Sequence, residues 1–124
     1  MTDLYPFLAV RDTDAAAAFY AEAFGATVVE SVGPVRVLEI AGHHVGLAPE
    51  APDLGTPSPE TAGVTTVRIS LHVDDADAAF EQALAAGATV LFPLEDQPYG
   101  LRQGRLQDPF GHHWLVASEL EKAS

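Results

Sequence analysis

An internal repeat constrains this chain more than any other feature, because two copies of one unit must obey one set of local folding rules. The stretch "LAVRDTDAA" at 8–16 returns as "LHVDDADAA" at 71–79, an offset of 63 residues. "GATVV" at 25–29 returns as "GATVL" at 87–91, an offset of 62, and "HHVGLAPE" at 43–50 returns as "HHWLVASE" at 112–119, an offset of 69. Three matches in one order at nearly constant offset point to duplication.

Each copy reads as β-α-β-β-β. "LYPFLAV" and "VRISLHV" alternate with period two and carry the branched and aromatic residues that suit a half-buried pleated surface. A helix follows each, started by Asp12 or Thr13 in the first copy and by Asp75 in the second, whose side-chain oxygens can accept from orphan amides of the first turn. Ala16, Phe19, Tyr20 and Ala23, and then Ala79, Phe80, Ala83 and Leu84, recur at helical spacing and predict one apolar face per helix. Gly25 and Gly87 are placed to end these helices. Three strands then follow in each copy: "ATVVESV", "VRVLEIA" and "HVGLA" in the first, "ATVLFPL", "RQGRLQD" and "HHWLVAS" in the second, the last pair joined through a turn at "DPFG". The expected organisation is a first module at 1–48, a linker at 49–63 whose prolines and glycines neither pair in a sheet nor bury much surface, a second module at 64–119 and a tail at 120–124.

A length of 124 residues suits one domain, or two half-sized modules that share a core. Hydrophobic residues make up 48%, yet no apolar run approaches the roughly 20 residues of a membrane span, so a soluble protein is expected. No basic, apolar leader is visible at the start and there is no cysteine, which removes disulfides, thiolate metal sites and cysteine nucleophiles and fits a cytoplasmic location. A net charge of −12 argues against nucleic acid and anionic membrane as partners and weakly favours a cationic guest.

The paired modules, the helix motif in "LAVRDTDAAAAFYAEAFGA" and the ending "GRLQDPFGHHWLVA" resemble the vicinal oxygen chelate superfamily, the glyoxalase, bleomycin-resistance and extradiol-dioxygenase group. The resemblance implies an α+β fold in which two β-α-β-β-β modules form curved mixed sheets around a small-molecule cavity. It also implies a homodimer, in some members with modules exchanged between chains. In metal-dependent members a ligand comes from the first and the last strand of each module. Carried onto this sequence, those positions are Tyr5, Gly46, Arg68 and Leu115. A phenol is a poor ligand at neutral pH, a guanidinium has no lone pair to offer, and glycine and leucine have no donor atom. The resemblance therefore implies a site with no metal and no other cofactor.

The two histidine pairs do not replace the missing donors. Adjacent residues on a strand point to opposite faces, so neither pair chelates through both rings. If Gly46 and Leu115 face the cavity, His44 and His113 do so too, and His72 shares the parity of Arg68 and Ser70. Three readings remain: polar lining held by local hydrogen bonds, direct ligand contact by His44 or His113, and a new His44/His113/His72 metal site opposed by the charge of Arg68. Tyr5 and Phe7 form either an aromatic wall for a planar ligand or ordinary core. Arg68 contacts either a ligand or a salt-bridge partner. Tyr99, Arg102 and Arg105 fall in an extension absent from the first copy, and of these Tyr99 and Arg102 either line the cavity mouth or anchor a loop. Trp114 has the opposite parity to Leu115 and is expected under a helix, while Asp108 and Gly111 are expected to shape a turn.

No nucleophile elbow, phosphate-cradling glycine pattern or acid-base carboxylate pair is recognisable. The expected ligand-contacting set is thus Tyr5, Phe7, His44, Arg68, Tyr99, Arg102, His113 and Leu115. Three functions fit such a set: a non-catalytic module that sequesters an antibiotic or another aromatic or peptide-like compound; a lyase, isomerase or dioxygenase of the same family using an unusual metal arrangement or His113 or His44 in acid-base work; and an accessory domain that recognises a protein.

Overall fold

Period-two alternation and capped helices appear where the sequence places them, and the two copies fold alike. The computed structural model describes residues 2–120. The first module runs β1 (Phe7–Val10), α1 (Thr13–Phe24), β2 (Thr27–Val32), β3 (Val35–Ile40) and β4 (His43–Pro49). After a one-turn helix α2 (Pro59–Ala62), the second runs β5 (Arg68–His72), α3 (Ala76–Ala86), β6 (Thr89–Asp96), β7 (Leu101–Gln107) and β8 (His113–Glu119). Each module is one four-stranded mixed sheet, ordered β1-β4-β3-β2 and β5-β8-β7-β6. The first and last strands of each module pair in parallel and the remaining neighbours pair antiparallel.

The registers show that the sequence repeat is a structural one. Phe7 pairs with Gly46 in the first sheet and Ser70 with Leu115 in the second, preserving the offsets of 63 and 69. Asp12 caps α1 by accepting from the amides of Asp14 and Ala15, and Asp75 caps α3 by accepting from Ala78. Thr13 is not the cap; its hydroxyl donates to the Pro34 carbonyl at 2.6 Å. Gly25 ends α1 at φ 71° and Gly87 ends α3 at φ 123°, both in the positive range that glycine adopts without a Cβ penalty.

Helices of 12 and 11 residues are marginal alone, so packing holds them. Ala16, Phe19, Tyr20 and Ala23 of α1 lie on Leu8, Val10, Leu38, Ile40, Val45 and Leu47, and Ala76, Phe80 and Ala83 of α3 lie with Leu106, Trp114 and Val116 in the same continuous core. Each large apolar side chain buried there contributes roughly 1.5–3 kcal/mol. Leu84 departs from expectation: it is 37% exposed, and Ala76, one turn before Phe80, fills the inner face instead.

The helices also meet each other, and the modules interlock through aromatic rings. Trp114 lies under a helix as its parity predicts, but that helix is α1 of the other module: its ring centroid is 4.4 Å from Phe24 and 5.4 Å from Tyr20. Asp108 shapes the "DPFG" turn by accepting from the amides of Phe110 and His112 through Oδ1. Its Oδ2 accepts from the Tyr20 hydroxyl at 2.5 Å and from Trp114 Nε1 at 2.9 Å, tying α1 to the second sheet. Burial and the Asp108 carboxylate push the Tyr20 phenol well above its usual pKa, so it stays protonated and donates.

The linker segment 49–63 is mostly exposed but is tied to the body at a few points. Ser58 is fully buried and caps α2, Glu50 accepts from the Ser58 amide, and Arg11 reaches Glu60 at 2.8 Å. Its prolines suit the starts of two short helical turns, Pro52–Leu54 and α2, where a missing amide hydrogen costs nothing. Of the expected tail, residues 121–124 lie outside the described residues.

Candidate functional site

Strand alternation gives each sheet two faces, and only one of them is covered by a helix. Leu8, Val10, Leu38, Val45 and Leu47 of the first sheet and Ile69, Leu71, Leu106, Trp114 and Val116 of the second pack in the core beneath the helices. Residues of opposite parity therefore form the concave faces. In the first sheet these include Phe7, His44 and Gly46, with Tyr5 of the segment before β1 beside them; in the second, Arg68, Ser70 and His72 of β5, His113 and Leu115 of β8, and Gln103 and Arg105 of β7.

On the first face, Tyr5 and Phe7 stand side by side with ring centroids 5.8 Å apart, and Tyr5 meets His44 edge-on at 5.6 Å. Phe7 is 52% exposed, so it is not ordinary core. Its ring lies over Gly46, where an added Cβ would come within 2.6 Å of Phe7 Cζ. His44 Nδ1 is 3.1 Å from Asp3 Oδ2, and this contact holds the Asp3 carboxyl below its usual pKa.

On the second face, Arg68 lies beside His113 and Arg105 beside Leu115. The Arg105 guanidinium stacks over Phe92 at 4.9 Å from the ring centroid, and its Nε is buried without a hydrogen-bond partner. Around it Phe92, Pro93, Glu95, Gln97, Gln103 and Leu115 line a cavity of about 260 Å³. Burial, reinforced by the charge of Arg105, pulls the His113 imidazole below its usual pKa. Tyr99, at the tip of the β6–β7 hairpin, reaches back to Gln103 with its hydroxyl 2.5 Å from Oε1, which sets it at the rim of this face.

Arg102 is not at the cavity mouth. Two residues from Gly104, whose missing side chain makes room for Phe80 of α3, it turns to the helix-covered side. There it donates to both carboxylate oxygens of Asp77 on α3 at 2.9 and 3.1 Å and to Asp96 at 3.0 Å. The even alternation of β7 carries Arg105 to the concave face and Arg102 away from it. The sequence places Arg105 in the extension without a role; its position opposite Leu115 on the concave face comes from the pairing of β7 with β8.

The histidine pairs divide as alternation requires. His113 faces the concavity, while His112 is buried with Nε2 2.9 Å from the Ala9 carbonyl, clasping the modules together. His44 lies on the first sheet and His72 and His113 on the second, and among the described residues no group of three or more His, Asp or Glu is positioned to hold an ion. The positions to which the resemblance carries the family's metal ligands are Tyr5, Gly46, Arg68 and Leu115, with the Phe7 ring filling the space above Gly46. This donor set does not fit a metal.

Known proteins agree with this architecture. A protein of Mycobacterium bovis described as uncharacterized is 40% identical over 130 residues, spanning 98% of this chain and 86% of its own length. A glyoxalase/bleomycin resistance protein/dioxygenase family enzyme from Burkholderia phytofirmans superposes with a TM-score of 0.79 at 24% identity, over 96% of this chain and 100% of the other. A fosfomycin resistance protein from Listeria monocytogenes, solved with Mn(II) and sulfate, shares the fold with a TM-score of 0.76 at 18% identity, over 97% and 92% of the two chains. The family model for the Glyoxalase/Bleomycin resistance protein/Dioxygenase superfamily matches residues 4–116, nearly the whole of both modules. The chain belongs to that superfamily.

Proposed function

We propose that this protein is a metal-independent small-molecule binding protein that sequesters an antibiotic or another aromatic or peptide-like compound. The observation that carries the reading is the pair of open concave faces, furnished with exposed aromatic rings and polar groups but with nothing better than the Tyr5 phenol, a poor ligand, at the four positions that the family resemblance assigns to metal ligands. Tyr5 and Phe7 offer a stacking surface on one face; Arg68, His113 and Leu115 offer anchors on the other, with Tyr99 at its rim. Antibiotic handling occurs on this fold in the Listeria fosfomycin resistance protein, although at 18% identity only the fold is shared.

A homodimer completes the proposal. The outer strands leave Val28, Val32, Val90 and Phe92 between 45% and 63% exposed, and a second copy would cover such apolar surface while closing each cup. The cytoplasm is the proposed location, in keeping with the absence of cysteine.

A second reading, a family enzyme, has one observation in its favour: the lowered pKa of His113 leaves a neutral imidazole at pH 7 on the concave face, able to accept a proton. One set of measurements separates the two. Titration calorimetry against a panel of aromatic and peptide antibiotics should give saturable binding with each ligand recovered unchanged, and Arg68→Ala should weaken it about tenfold without altering the fold. Turnover of a ligand that is lost in His113→Ala would replace sequestration by catalysis. A stoichiometric divalent cation in protein purified without chelator would defeat the metal-independent reading.

A further inference from the structure

Resting on the reading of the second sheet's concave face as a ligand surface, we infer that this face recognises a small organic oxyanion, a carboxylate or phosphonate on an apolar body, through Arg105 and Arg68. The distribution of charge points there. The chain has 6 basic residues against 18 acidic ones, so any arginine can find a carboxylate at little cost. Arg11, Arg36 and Arg102 have each done so, with Glu60, with Asp14, and with Asp77 and Asp96. Arg68 and Arg105 alone among the described arginines have no carboxylate within 4.0 Å, and both stand on the same concave face.

Their placement is convergent. β5 and β7 flank β8, with Arg68 beside His113 and Arg105 beside Leu115, two residues or about 7 Å further along. Two guanidinium stems therefore rise on either side of one strand, within reach of a single guest. Arg105 is held in place by its stack on Phe92, and its terminal guanidinium nitrogens, unlike the enclosed Nε, stay accessible with no hydrogen-bond partner among the described residues, so their donors still need an acceptor. An oxyanion meets that need with paired charge-assisted bonds. Phe92, Pro93 and Leu115 beside it call for an apolar body rather than a bare inorganic ion. Glu95 shares the cavity but makes no ion pair with Arg105. The net charge of −12 does not oppose such a guest at contact, since exposed charges are screened beyond about 8 Å at physiological salt. Nor does the local field favour the cationic guest that the overall charge suggests.

The test uses the full chain and three probes of one shape: benzoate, phenylphosphonate and the neutral benzamide. Calorimetry should show at least one of the two anions bound about tenfold or more tightly than benzamide, with the preference falling as salt is raised. Whichever anion binds more tightly identifies the headgroup. Arg105→Gln should abolish the preference while benzamide binding persists, Arg68→Gln should reduce it several-fold, and Arg102→Gln should leave it unchanged. Equal binding of anions and benzamide would overturn the inference and leave the ligand surface standing. No binding of any probe up to about 10 mM, a free energy weaker than about −3 kcal/mol, would overturn the inference and count against the surface itself. Arg105→Gln and Arg68→Gln variants that dissociate into monomers with no loss of anion preference would overturn it as well, assigning the arginines to carboxylates of a second copy.

Discussion

Replacing Asp108 should cost more stability than any surface charge, because four donors converge on one carboxylate that is 3% exposed. In Asp108→Ala the amides of Phe110 and His112, the Tyr20 hydroxyl and Trp114 Nε1 all lose their acceptor. At about 1 kcal/mol for each orphaned buried donor, the low end of the usual range, the loss is about 4 kcal/mol. Domains of this kind have 5–15 kcal/mol in total, so a quarter or more of the stability would go. Asp108→Asn is more discriminating. Its carbonyl can still serve both amides, and the Tyr20 hydroxyl can turn to accept from the new NH2 group, but Trp114 Nε1 is a donor only and would face another donor. A loss near 2 kcal/mol is expected for Asp108→Asn, and about 1 kcal/mol for Tyr20→Phe. Urea denaturation followed by circular dichroism and by the fluorescence of Trp114, the single tryptophan, would measure all three. A cost below about 1 kcal/mol for Asp108→Ala, or a neutral Asp108→Asn, would refute the view that this carboxylate locks the two modules together.

Two further perturbations separate groups that sequence alone treats alike. In Gly46→Ala the new methyl would lie 2.6 Å from the Phe7 ring, which is half exposed and can swing away. Stability should change by less than about 1.5 kcal/mol, while the affinity for aromatic guests falls several-fold and the ring's NMR shifts move; unchanged Phe7 shifts would show that the ring does not rest on Gly46. Arg102 lowers the pKa of Asp77 through their hydrogen bonds, so the pair's contribution is complete above the ordinary carboxylate range and is lost as pH falls through the depressed folded value. Arg102→Ala should therefore lower the melting temperature slightly at pH 7 and not at all at the acid end, and a constant difference across that range would exclude the pair as its cause.

Much of the fold was legible because its determinants are local. Asp12, Asp75, Gly25 and Gly87 mark the helix ends by capping chemistry that operates within a few residues. The repeat offsets align Tyr5 with Arg68 and Gly46 with Leu115, and the strand registers keep that alignment. Within segment 49–63 the burial of Ser58 was not legible, because it depends on contacts with Glu50 and with the chain around it, which composition does not reveal. Leu84 was placed inside by spacing, yet a helix covers only as much of its circumference as the sheet beneath it spans, and Ala76 lay nearer the seam.

The candidate site divides along the same line. Strand parity, a property of consecutive residues, was enough to place Trp114 under a helix and to put His113, Arg68 and Leu115 on one face. What a long charged side chain does after leaving the backbone is set by the groups that the folded sheet and helix bring beside it. Arg102 and Arg105 are three residues apart on one strand; the β6–β7 register sets Asp96 opposite Arg102, the packing of α3 on the sheet brings Asp77 to it, and neither brings a carboxylate to Arg105 over Phe92. Periodicity and capping act over a few residues and can be read from the chain; the pairing of a charge is a question of which partners the folded sheet brings within reach, and no local pattern contains that answer.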